Sequence, residues 1–330
     1  MKKCKKILLI LLCFVACGML LSCVEKEAKP KSISIAALKG PSSVGMAYLF
    51  EKNEEVNKVP VHYEVVASPD IALPRLLKGE LDAGILPINA AAKVFNSTDG
   101  QIQLAAIVGN GMLKLVTSDE KLTDLSQLKG KTLYVAGQGS TPEYLIRYLL
   151  DKEGIPVEKT NEGVELAFNL APAELAPALI AGKIDYAFLP EPFATVALMN
   201  KKPLFAKIDI QSLYKKYSGF DNYPMTAFVV RTDFARKYPS VLETLLKQYE
   251  DSIIFANESP LETGVLVEKH GLGLKSPIVA KSIPNSNFVF NSAESTKDST
   301  MAFLNLLLNF APQSIGGKLP TDNFYYSTTK

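Results

Sequence analysis

One stretch of the chain occurs twice, with its copies 103 positions apart. The first copy runs from Leu73 to Phe95 (LPRLLKGELDAGILPINAAAKVF) and the second from Leu175 to Leu198 (LAPALIAGKIDYAFLPEPFATVAL). Each copy has the pattern of an amphipathic helix, a Gly turn, a short buried strand and a Pro that ends the strand. A unit that recurs at this spacing predicts two similar α/β lobes, and two such lobes form a cleft between them.

The first residues have the pattern of an export signal. Four lysines precede an unbroken apolar run from Ile7 to Leu21, which at fifteen residues is too short for a membrane span. The run ends in Leu20-Leu21-Ser22-Cys23, which is similar to a bacterial lipobox. This similarity implies that residues 1–22 are a signal peptide and that Cys23 is lipidated at a membrane surface. The alternative is an uncleaved anchor helix.

Cleavage before Cys23 changes both the cysteine content and the charge of the protein. All four cysteines lie at or before that point, so the mature chain has no disulfide and no thiolate cluster for a metal or a nucleophile. The removed segment carries four Lys and no acid, which leaves 32 basic and 34 acidic residues, a net charge of −2. This composition has no basic domain, so nucleic acid is excluded as an expected partner. Residues 23–31 are predicted to be a lipidated tether.

The remaining chain alternates strands with helices, which predicts mostly parallel sheets covered on both faces. The predicted strands are Ile33–Leu38, Val61–Ala67, Leu81–Leu86, Ile102–Val108, Met112–Thr117, Thr132–Ala136, Val164–Phe168, Leu204–Ile210 and Thr226–Arg231. Met112–Thr117 and Thr226–Arg231 are assigned to the two crossings between lobes. Gln211–Tyr223 is predicted to be irregular surface chain, and the last helix is predicted over Ser292–Phe310. Lobe 1 is therefore expected over 32–111 and 225–330, and lobe 2 over 112–224.

Catalytic motifs are missing from the sequence. It contains no HExxH, GxSxG, P-loop or paired-Cys pattern, and only two histidines, His62 and His270. Asp82 and Asp185 occupy equivalent places in the two repeat copies, at the start of a strand, where a structural role is expected. We therefore predict no catalytic residue, no metal site and no cofactor.

Binding signals are stronger, because ligands of open α/β sheets lie beyond the carboxyl ends of the strands. Most residues at those ends are small or carry hydroxyl or amide groups next to a helix start, where free backbone N–H groups suit an anionic or polar head group. The candidates are Lys39, Gly40, Pro41, Ser42, Ser43, Ser68, Asn89, Gln138, Gly139, Ser140, Thr141 and Asn169. For Ser42, Ser43, Ser140 and Thr141 taken singly, helix capping alone is the alternative, with Thr141 as the expected N-cap of its helix.

Glu191 is a further candidate, and its sequence context leaves two roles open. It follows the strand-ending Pro190, where its carboxylate would accept hydrogen bonds from an amine or a heterocycle. It would equally favour the positive end of the helix that follows. A carboxylate at this place argues against a simple anion such as nitrate as the ligand.

Several motifs together resemble the periplasmic-type solute-binding proteins of ABC importers, in the nitrate/sulfonate/taurine and thiamine-pyrimidine-precursor branch. They are LLKGELDAG at Leu76–Gly84, LKGKT at Leu128–Thr132, GKIDYA at Gly182–Ala187, and Glu191-Pro192-Phe193. The resemblance implies a two-lobed periplasmic-binding-protein type II fold with two crossing hinge strands. The hinges are expected near Gly109–Met112 and Gly219–Met225. Since the chain has no Trp, Tyr144, Phe193 or Tyr223 would supply any aromatic stacking.

The resemblance implies a function in uptake. We expect a monomeric, lipid-anchored receptor, outside the cytoplasm, that captures a small organic solute and delivers it to an ABC permease and its ATPase. The solute is expected to have a polar or anionic head, as a sulfonate or a heterocycle has. Two alternatives remain at this point: an enzyme on the same fold, similar to menaquinone-pathway proteins, and a surface lipoprotein for adhesion or signalling.

Overall fold

A computed structural model describes residues 28–52 and 54–327. The predicted signal peptide and Cys23 lie outside the described residues, as do the first residues of the predicted tether. Lys29 belongs to the described part of the tether, and its Nζ donates to the Oδ1 of Asn57 at 3.1 Å.

The larger of two sheets has seven strands, and the chain reaches it both before and after it forms the smaller one. Its strands are β1 (Ile33–Leu38), β2 (Glu55–Val56), β3 (Val59–Val66), β4 (Ala83–Pro87), β5 (Ile102–Asn110), β10 (Pro224–Arg231) and β11 (Phe288–Ser292), in the order β11-β5-β10-β4-β1-β3-β2. Strands β1, β3, β4 and β5 point the same way, whereas β10 returns from the smaller sheet and runs antiparallel between β4 and β5. The α/β fold is confirmed, but its sheets are mixed because of such returning strands.

The smaller sheet has four strands, all from the middle of the chain. They are β6 (Leu113–Thr117), β7 (Thr132–Val135), β8 (Glu165–Ala167) and β9 (Tyr186–Pro190), in the order β6-β9-β7-β8. Strands β7, β8 and β9 are parallel, and β6 is antiparallel to β9.

Helices cover both sheets. The α-helices are α1 (Ala47–Lys52), α2 (Pro69–Lys78), α3 (Ile88–Ser97), α4 (Thr141–Lys152), α5 (Pro172–Ile180), α6 (Phe193–Leu198), α7 (Ile210–Ser218), α8 (Thr232–Lys237), α9 (Pro239–Glu258), α10 (Pro260–Lys269), α11 (Ser276–Ser282) and α12 (Lys297–Phe310). Short 3-10 helices cover Pro41–Met46, Leu125–Leu128, Ile283–Asn285, Pro312–Ile315 and Asp322–Phe324.

The two repeat copies fold alike, one in each sheet. Helix α2 and strand β4 of the first copy correspond, at the same offset of 103 residues, to helix α5 and strand β9 of the second. The turn between helix and strand is made by Gly79 (φ 77°) and Gly182 (φ 68°), in the left-handed region that favours glycine. Asp82 Oδ2 accepts the N–H of Ser34 at 3.0 Å, and Asp185 Oδ1 accepts the Ser118 hydroxyl at 3.1 Å. Both aspartates therefore tie neighbouring strands together, as expected from their position.

The side chains of the small sheet alternate between two hydrophobic cores. Phe188 packs into the main core, which also covers the seven-stranded sheet, whereas its neighbours Ala187 and Leu189 pack into a second core with α5 and α6. Period-two alternation of buried residues on both faces requires helices on both faces of the sheet.

Three predictions about the second half of the chain are wrong. Leu204–Ile210 is not a strand, because only Phe205 bridges to Thr117 and the Asp209 carboxylate then caps α7. Gln211–Tyr223 is not irregular surface chain, because it contains α7 and two fully buried tyrosines. The last helix begins at Lys297 rather than Ser292, because the residues before it form β11 against β5.

The chain passes between the sheets at residues 111–112 and again at 219–223. Asn287, at the start of β11, holds both passages: its Nδ2 donates to the Gly111 carbonyl at 3.2 Å and to Asn222 Oδ1 at 2.8 Å. The Tyr223 ring lies directly against Gly111, where an added Cβ would come within 2.5 Å of the ring. The two passages are thus packed against one another.

Candidate functional site

The strands of the large sheet that run in parallel end at one edge, where the sequence places its candidates. After β1, Lys39, Gly40 and Pro41 form a turn in which the Gly40 N–H donates to the Leu272 carbonyl at 2.8 Å. Gly40 has φ 121°, a conformation open to glycine and strained for other residues. The Lys39 side chain is exposed and lies over Gly273.

Ser43 lies in the 3-10 helix that follows this turn, and its hydroxyl is buried without a partner. Its side chain has no exposed surface, and among the described residues its Oγ has no hydrogen-bond partner. The N-cap of this helix is Gly40, so neither Ser43 nor the half-exposed Ser42 caps it. Ser252 of α9 contacts this helix and also α1, which follows it: its Oγ donates to the Gly45 carbonyl at 2.7 Å and accepts the Leu49 N–H of α1 at 2.9 Å.

Asn89 lies in the first turn of α3, directly beyond the end of β4. It is 8% exposed, and its Oδ1 is a second buried polar atom for which the described chain provides no partner. Helix α3 has no acidic residue in its first turn and no side-chain cap. Ser68, beyond β3, is the N-cap residue of α2 and is half-buried, but its side chain makes no capping hydrogen bond.

The glycine-rich turn beyond β7 leads into α4. Ser140, not Thr141, is the N-cap residue, and its Oγ donates back to the Gly137 carbonyl at 2.6 Å instead of capping. Thr141 is the first helical residue. It is 3% exposed, and its Oγ1 finds no partner within the described part of the chain. Gln138 and Gly139 are exposed. The helix-capping alternative therefore fails for both buried hydroxyls, those of Ser43 and Thr141.

Glu143, beside the glycine-rich turn, was not among the predicted ligand-binding residues, although its place in the sequence puts it at the positive end of this helix. It is 7% exposed, its Oε2 accepts the Gly139 N–H at 2.7 Å, and its Oε1 accepts the Arg147 Nε–H at 2.8 Å. The carboxylate thus occupies the positive end of α4 from within the protein. A Glu two residues after the first helical position was visible in the sequence, but its burial was not.

Glu191 is 1% exposed and lies beyond the end of β9. Its Oε2 accepts the Thr195 N–H of α6 at 2.9 Å, and its own N–H donates to the Met112 carbonyl at 3.0 Å. Burial raises the pKa of this carboxyl above its ordinary value, against the smaller opposing effects of the Thr195 hydrogen bonds and the Lys114 charge. The carboxylate therefore interacts with the start of α6, and a ligand contact remains a prediction.

The three aromatic candidates differ in accessibility. Tyr223 is fully buried, packed against Tyr214 and Phe303 with ring centroids 5.1 and 6.2 Å away, and its hydroxyl accepts the Leu113 N–H at 3.4 Å. A ligand cannot reach this ring without opening the core. Phe193 is half-buried against the second core. Tyr144, also half-buried, approaches the Gly139 turn: an added Cβ on this glycine would lie 3.9 Å from the hydroxyl.

Some of the candidate side chains are buried at strand ends, and others are partly or fully exposed to solvent. Ser43, Asn89, Thr141 and Glu191 are buried at four strand ends, two in each sheet. Asn169, beyond β8, is exposed. Helix α11 beside the large sheet contacts α6 beside the small one, so the two halves meet near Glu191.

Two cavities of about 550 and 510 Å³ lie at the opposite edge of the large sheet. They share Thr232 and Arg236, and the larger also contacts Gln103 near the start of β5. Neither cavity is lined by any of the candidate residues.

The described residues contain neither a metal cluster nor a membrane-spanning helix. No three His, Cys, Asp or Glu side chains in these ranges are grouped as a metal site requires. None of the helices in the described part of the chain combines the length and the apolar character that a membrane crossing needs. The two histidines are not grouped either: His62 is exposed, and His270 Nε2 lies 3.0 Å from Glu51 Oε2.

The sequence profile of the NMT1-like family matches residues 44–260, which include both repeat copies and all of the four buried candidates except Ser43. The chain belongs to the NMT1-like family. This NMT1-like protein is also similar to the solved structure of an ABC transporter from Parabacteroides distasonis, at 30% identity and a TM-score of 0.76 over 91% of this chain and 100% of that one.

More distant structures share the fold. The periplasmic aliphatic sulphonate binding protein SsuA from Escherichia coli is 16% identical, with a TM-score of 0.71 over 92% of this chain and 94% of its own. The periplasmic nitrate-binding protein NrtA from Synechocystis PCC 6803 is 14% identical, with a TM-score of 0.64 over 87% and 83%. No curated protein matches the chain. The type II periplasmic-binding-protein fold expected from the sequence is thereby confirmed.

Replacing Glu191 by Gln should stabilise the protein at neutral pH. Gln retains an oxygen for the Thr195 N–H and removes a buried charge, so we expect a gain of about 1 kcal/mol in the free energy of unfolding at pH 7. Because the pKa of Glu191 is raised in the folded protein, the cost of its charge is present above that pKa and disappears as the pH falls towards the ordinary value of 4.5. Urea unfolding across this pH range measures the difference.

The matched control is Glu174→Gln. Glu174 Oε2 accepts the Ala171 N–H at 2.7 Å, the same kind of bond, but the side chain is exposed. This variant should remain close to wild type at every pH. A Glu191→Gln protein that is less stable than wild type at pH 7 would show that the buried charge is stabilised by more than the Thr195 hydrogen bond and the Lys114 charge.

Proposed function

We propose that this protein is a solute receptor of an ABC importer and that it binds a small organic molecule between its two sheets. The fold and the family support this function, since the Parabacteroides distasonis relative is described as an ABC transporter and the SsuA and NrtA structures as periplasmic binding proteins. Ligands of α/β sheets bind beyond the carboxyl ends of the strands, where the buried candidates lie.

The observation that carries the proposal is the set of buried polar atoms without partners. Ser43 Oγ, Asn89 Oδ1 and Thr141 Oγ1 lie at three strand ends, and their hydrogen-bonding capacity is unused within the described residues. Leaving a buried polar group unpaired costs about 1–3 kcal/mol, so native proteins rarely do it without a reason. A bound solute supplies the missing partners. Other such atoms exist, Thr263 Oγ1 in α10 among them, but these three coincide with the predicted site.

Closure of the two halves is the proposed means of capture. Lobe 1 would contain the seven-stranded sheet and lobe 2 the four-stranded sheet, with hinges at the passages near Gly111 and Tyr223. A solute that bonds to both lobes favours the closed form over the open one, and the permease would recognise that form. Asn287, which bonds to both passages, would limit the motion to rotation about them.

The lipid anchor is part of the proposal. Cleavage before Cys23 and lipidation of its thiol would hold the receptor at a bacterial membrane, facing the periplasm or the cell exterior, close to the permease. Since a single acyl chain binds a membrane only weakly, stable anchoring requires more than one chain on this residue. Metabolic labelling with a fatty acid should mark the wild-type chain and leave Cys23→Ser unlabelled.

The binding site can be tested with two matched variants. Thr141→Val and Thr263→Val each remove a buried hydroxyl that lacks a partner in the described chain, so neither should lower the unfolding temperature of the free protein. In a thermal-shift screen of small organic solutes, wild type and Thr263→Val should be stabilised by the same compound. Thr141→Val should bind it about tenfold more weakly.

The opposite results would count against the site. Equal binding by Thr141→Val and wild type would remove Thr141 from it. A screen in which no solute stabilises wild type would favour the adhesion or signalling alternative.

A further inference from the structure

The helices around the small sheet share one feature: at the start of each, a nearby acidic side chain accepts a backbone N–H. Between Leu113 and Ser218, all of which the structure describes, five helices start at a backbone N–H that bonds to an acidic side chain. The acids are Asp124, Glu143, Glu174, Glu191 and Asp209, with N···O distances of 2.8, 2.7, 2.7, 2.9 and 3.1 Å. The positive ends of these helices are therefore already neutralised from within.

Glu143 bears most directly on the site. Its carboxylate bonds to the exposed Gly139 turn that precedes α4, the place where an anionic head group would have to bind. Such a group would meet a carboxylate that is 7% exposed and already paired with Arg147. Beside it, the Thr141 hydroxyl is 3% exposed and unpartnered within the described chain, which marks this helix start as a place for a ligand.

Two of the four buried candidates at the strand ends present acceptor atoms that only a donor can satisfy. Asn89 Oδ1 is a carbonyl oxygen, and the Glu191 carboxylate accepts one N–H from Thr195. The hydroxyls of Ser43 and Thr141 can donate or accept. Sulfonate and nitrate oxygens only accept hydrogen bonds, so they cannot satisfy Asn89 Oδ1 or either carboxylate.

The cations near these carboxylates do not create a positively charged site for an anion. Arg147 is bound to Glu143, and Lys114 is near the Glu191 and Asp209 carboxylates, whose charges it offsets. Lys39, on the large-sheet side, is exposed and lies over Gly273. Arg147 and Lys114 thus each already face at least one acid.

We propose that the solute presents hydrogen-bond-donating nitrogen, neutral or cationic, to the small-sheet side of the cleft, and that a simple sulfonate or nitrate is not the cargo. The cargo class is therefore amines, amidines and other molecules with N–H donors. This inference rests on the proposed receptor function and would separate this protein from SsuA and NrtA, whose descriptions name sulphonate and nitrate.

The test compares amines with sulfonates of the same carbon skeleton. The full chain, exported in bacteria and purified in detergent, is titrated with propylamine and 1-propanesulfonate, with benzylamine and phenylmethanesulfonate, and with nitrate, and its unfolding temperature is measured. Amines should raise the unfolding temperature of wild type, and the sulfonates and nitrate should not. Glu143→Gln should weaken amine binding about tenfold and strengthen sulfonate binding.

Glu268→Gln is the matched control. Glu268 also accepts a backbone N–H, from Ser276 at 2.9 Å, and pairs with a cation, Lys275, but it is exposed. This variant should bind both members of each pair as wild type does. Since Glu143→Gln also breaks the ion pair with Arg147, Glu191→Gln serves as a second variant with the same expected loss of amine affinity.

The outcomes separate this inference from the receptor function. Stabilisation of wild type by a sulfonate or nitrate would overturn the inference and leave the receptor function standing. Unchanged amine affinity in both Glu143→Gln and Glu191→Gln would likewise overturn the inference without affecting the receptor function. If neither amine stabilises wild type while a solute of the broader screen that has no N–H donor does, the inference fails and the receptor function stands. If no solute of that screen stabilises wild type, both fail.

Discussion

Replacing Gly111 by Ala should lower the free energy of unfolding by about 3 kcal/mol, because the added methyl group has no room. An ideal Cβ at this position would lie 2.2 Å from Gln211 Oε1 and 2.4 Å from the Tyr223 ring. Gln211 Oε1 is the end of a flexible, partly buried side chain and can shift, but Tyr223 is fully buried at the second passage between the sheets. The Tyr223 ring therefore cannot move without opening the packing at the proposed hinge. Urea unfolding of the purified protein measures the loss.

The control for this variant is Gly154→Ala. Gly154 has φ 67° and nothing within 4 Å of an added Cβ, so only backbone strain of about 1 kcal/mol is expected. Equal losses for the two variants would mean that the two passages are not packed in solution as described. The same Gly111→Ala protein should also bind its solute more weakly, because the proposed closure would rotate the two halves about this point.

Replacing Ser252 by Ala should cost about 2 kcal/mol of stability and reduce solute binding as well. Ser252 is fully buried in α9, and its hydroxyl serves both the Gly45 carbonyl and the Leu49 N–H. Removing it leaves one buried acceptor without that donor and one buried donor without that acceptor. The bond to Gly45 fixes the 3-10 helix that contains Ser43, and the bond to Leu49 fixes α1, which follows it directly. The 3-10 helix should therefore become more mobile at the proposed binding edge.

Ser282→Ala is the comparison for Ser252→Ala. The Ser282 hydroxyl is also buried, but it donates only to the Val279 carbonyl within its own helix, at 3.0 Å. We expect a loss of about 1 kcal/mol or less and unchanged solute binding. Retained binding in Ser252→Ala would show that Ser43 is not part of the site or does not depend on this support.

Local patterns were enough to predict most of the fold. The repeat predicted α2 with β4 and α5 with β9, because helix periodicity, a glycine in the left-handed region and a strand-ending proline are all encoded over short distances. The two crossings could be placed for the same reason, since Gly111 and Gly219 interrupt the pattern where the sheets change.

The errors arose where long-range packing decides the structure. The three tyrosines of 211–223 were interpreted as surface residues, whereas Tyr214 and Tyr223 pack against Phe303 of α12, which comes much later in the chain. Strand β11 was missed because its pairing partner β5 lies far away in sequence. No window of neighbouring residues contains these contacts.

For the candidate residues, the sequence predicted their place at strand ends but not their burial or their hydrogen bonds. Strand ends gave Ser43, Asn89, Thr141 and Glu191, because the α/β pattern fixes which edge the helices start from. Three facts became visible only in three dimensions: these side chains are buried, three of them have polar atoms without a partner among the described residues, and the Glu143 carboxylate bonds to the turn before α4.

The unpaired buried atoms at the strand ends should belong to a site for a small organic solute, and the proposed function depends on this. Native mass spectrometry of the protein, purified without refolding, tests it most directly. We expect a defined added mass on wild type that is lost from the double variant Ser43→Ala/Thr141→Val and retained by Thr263→Val. An added mass that persists unchanged in the double variant would contradict the proposed site, because the solute would then be held elsewhere.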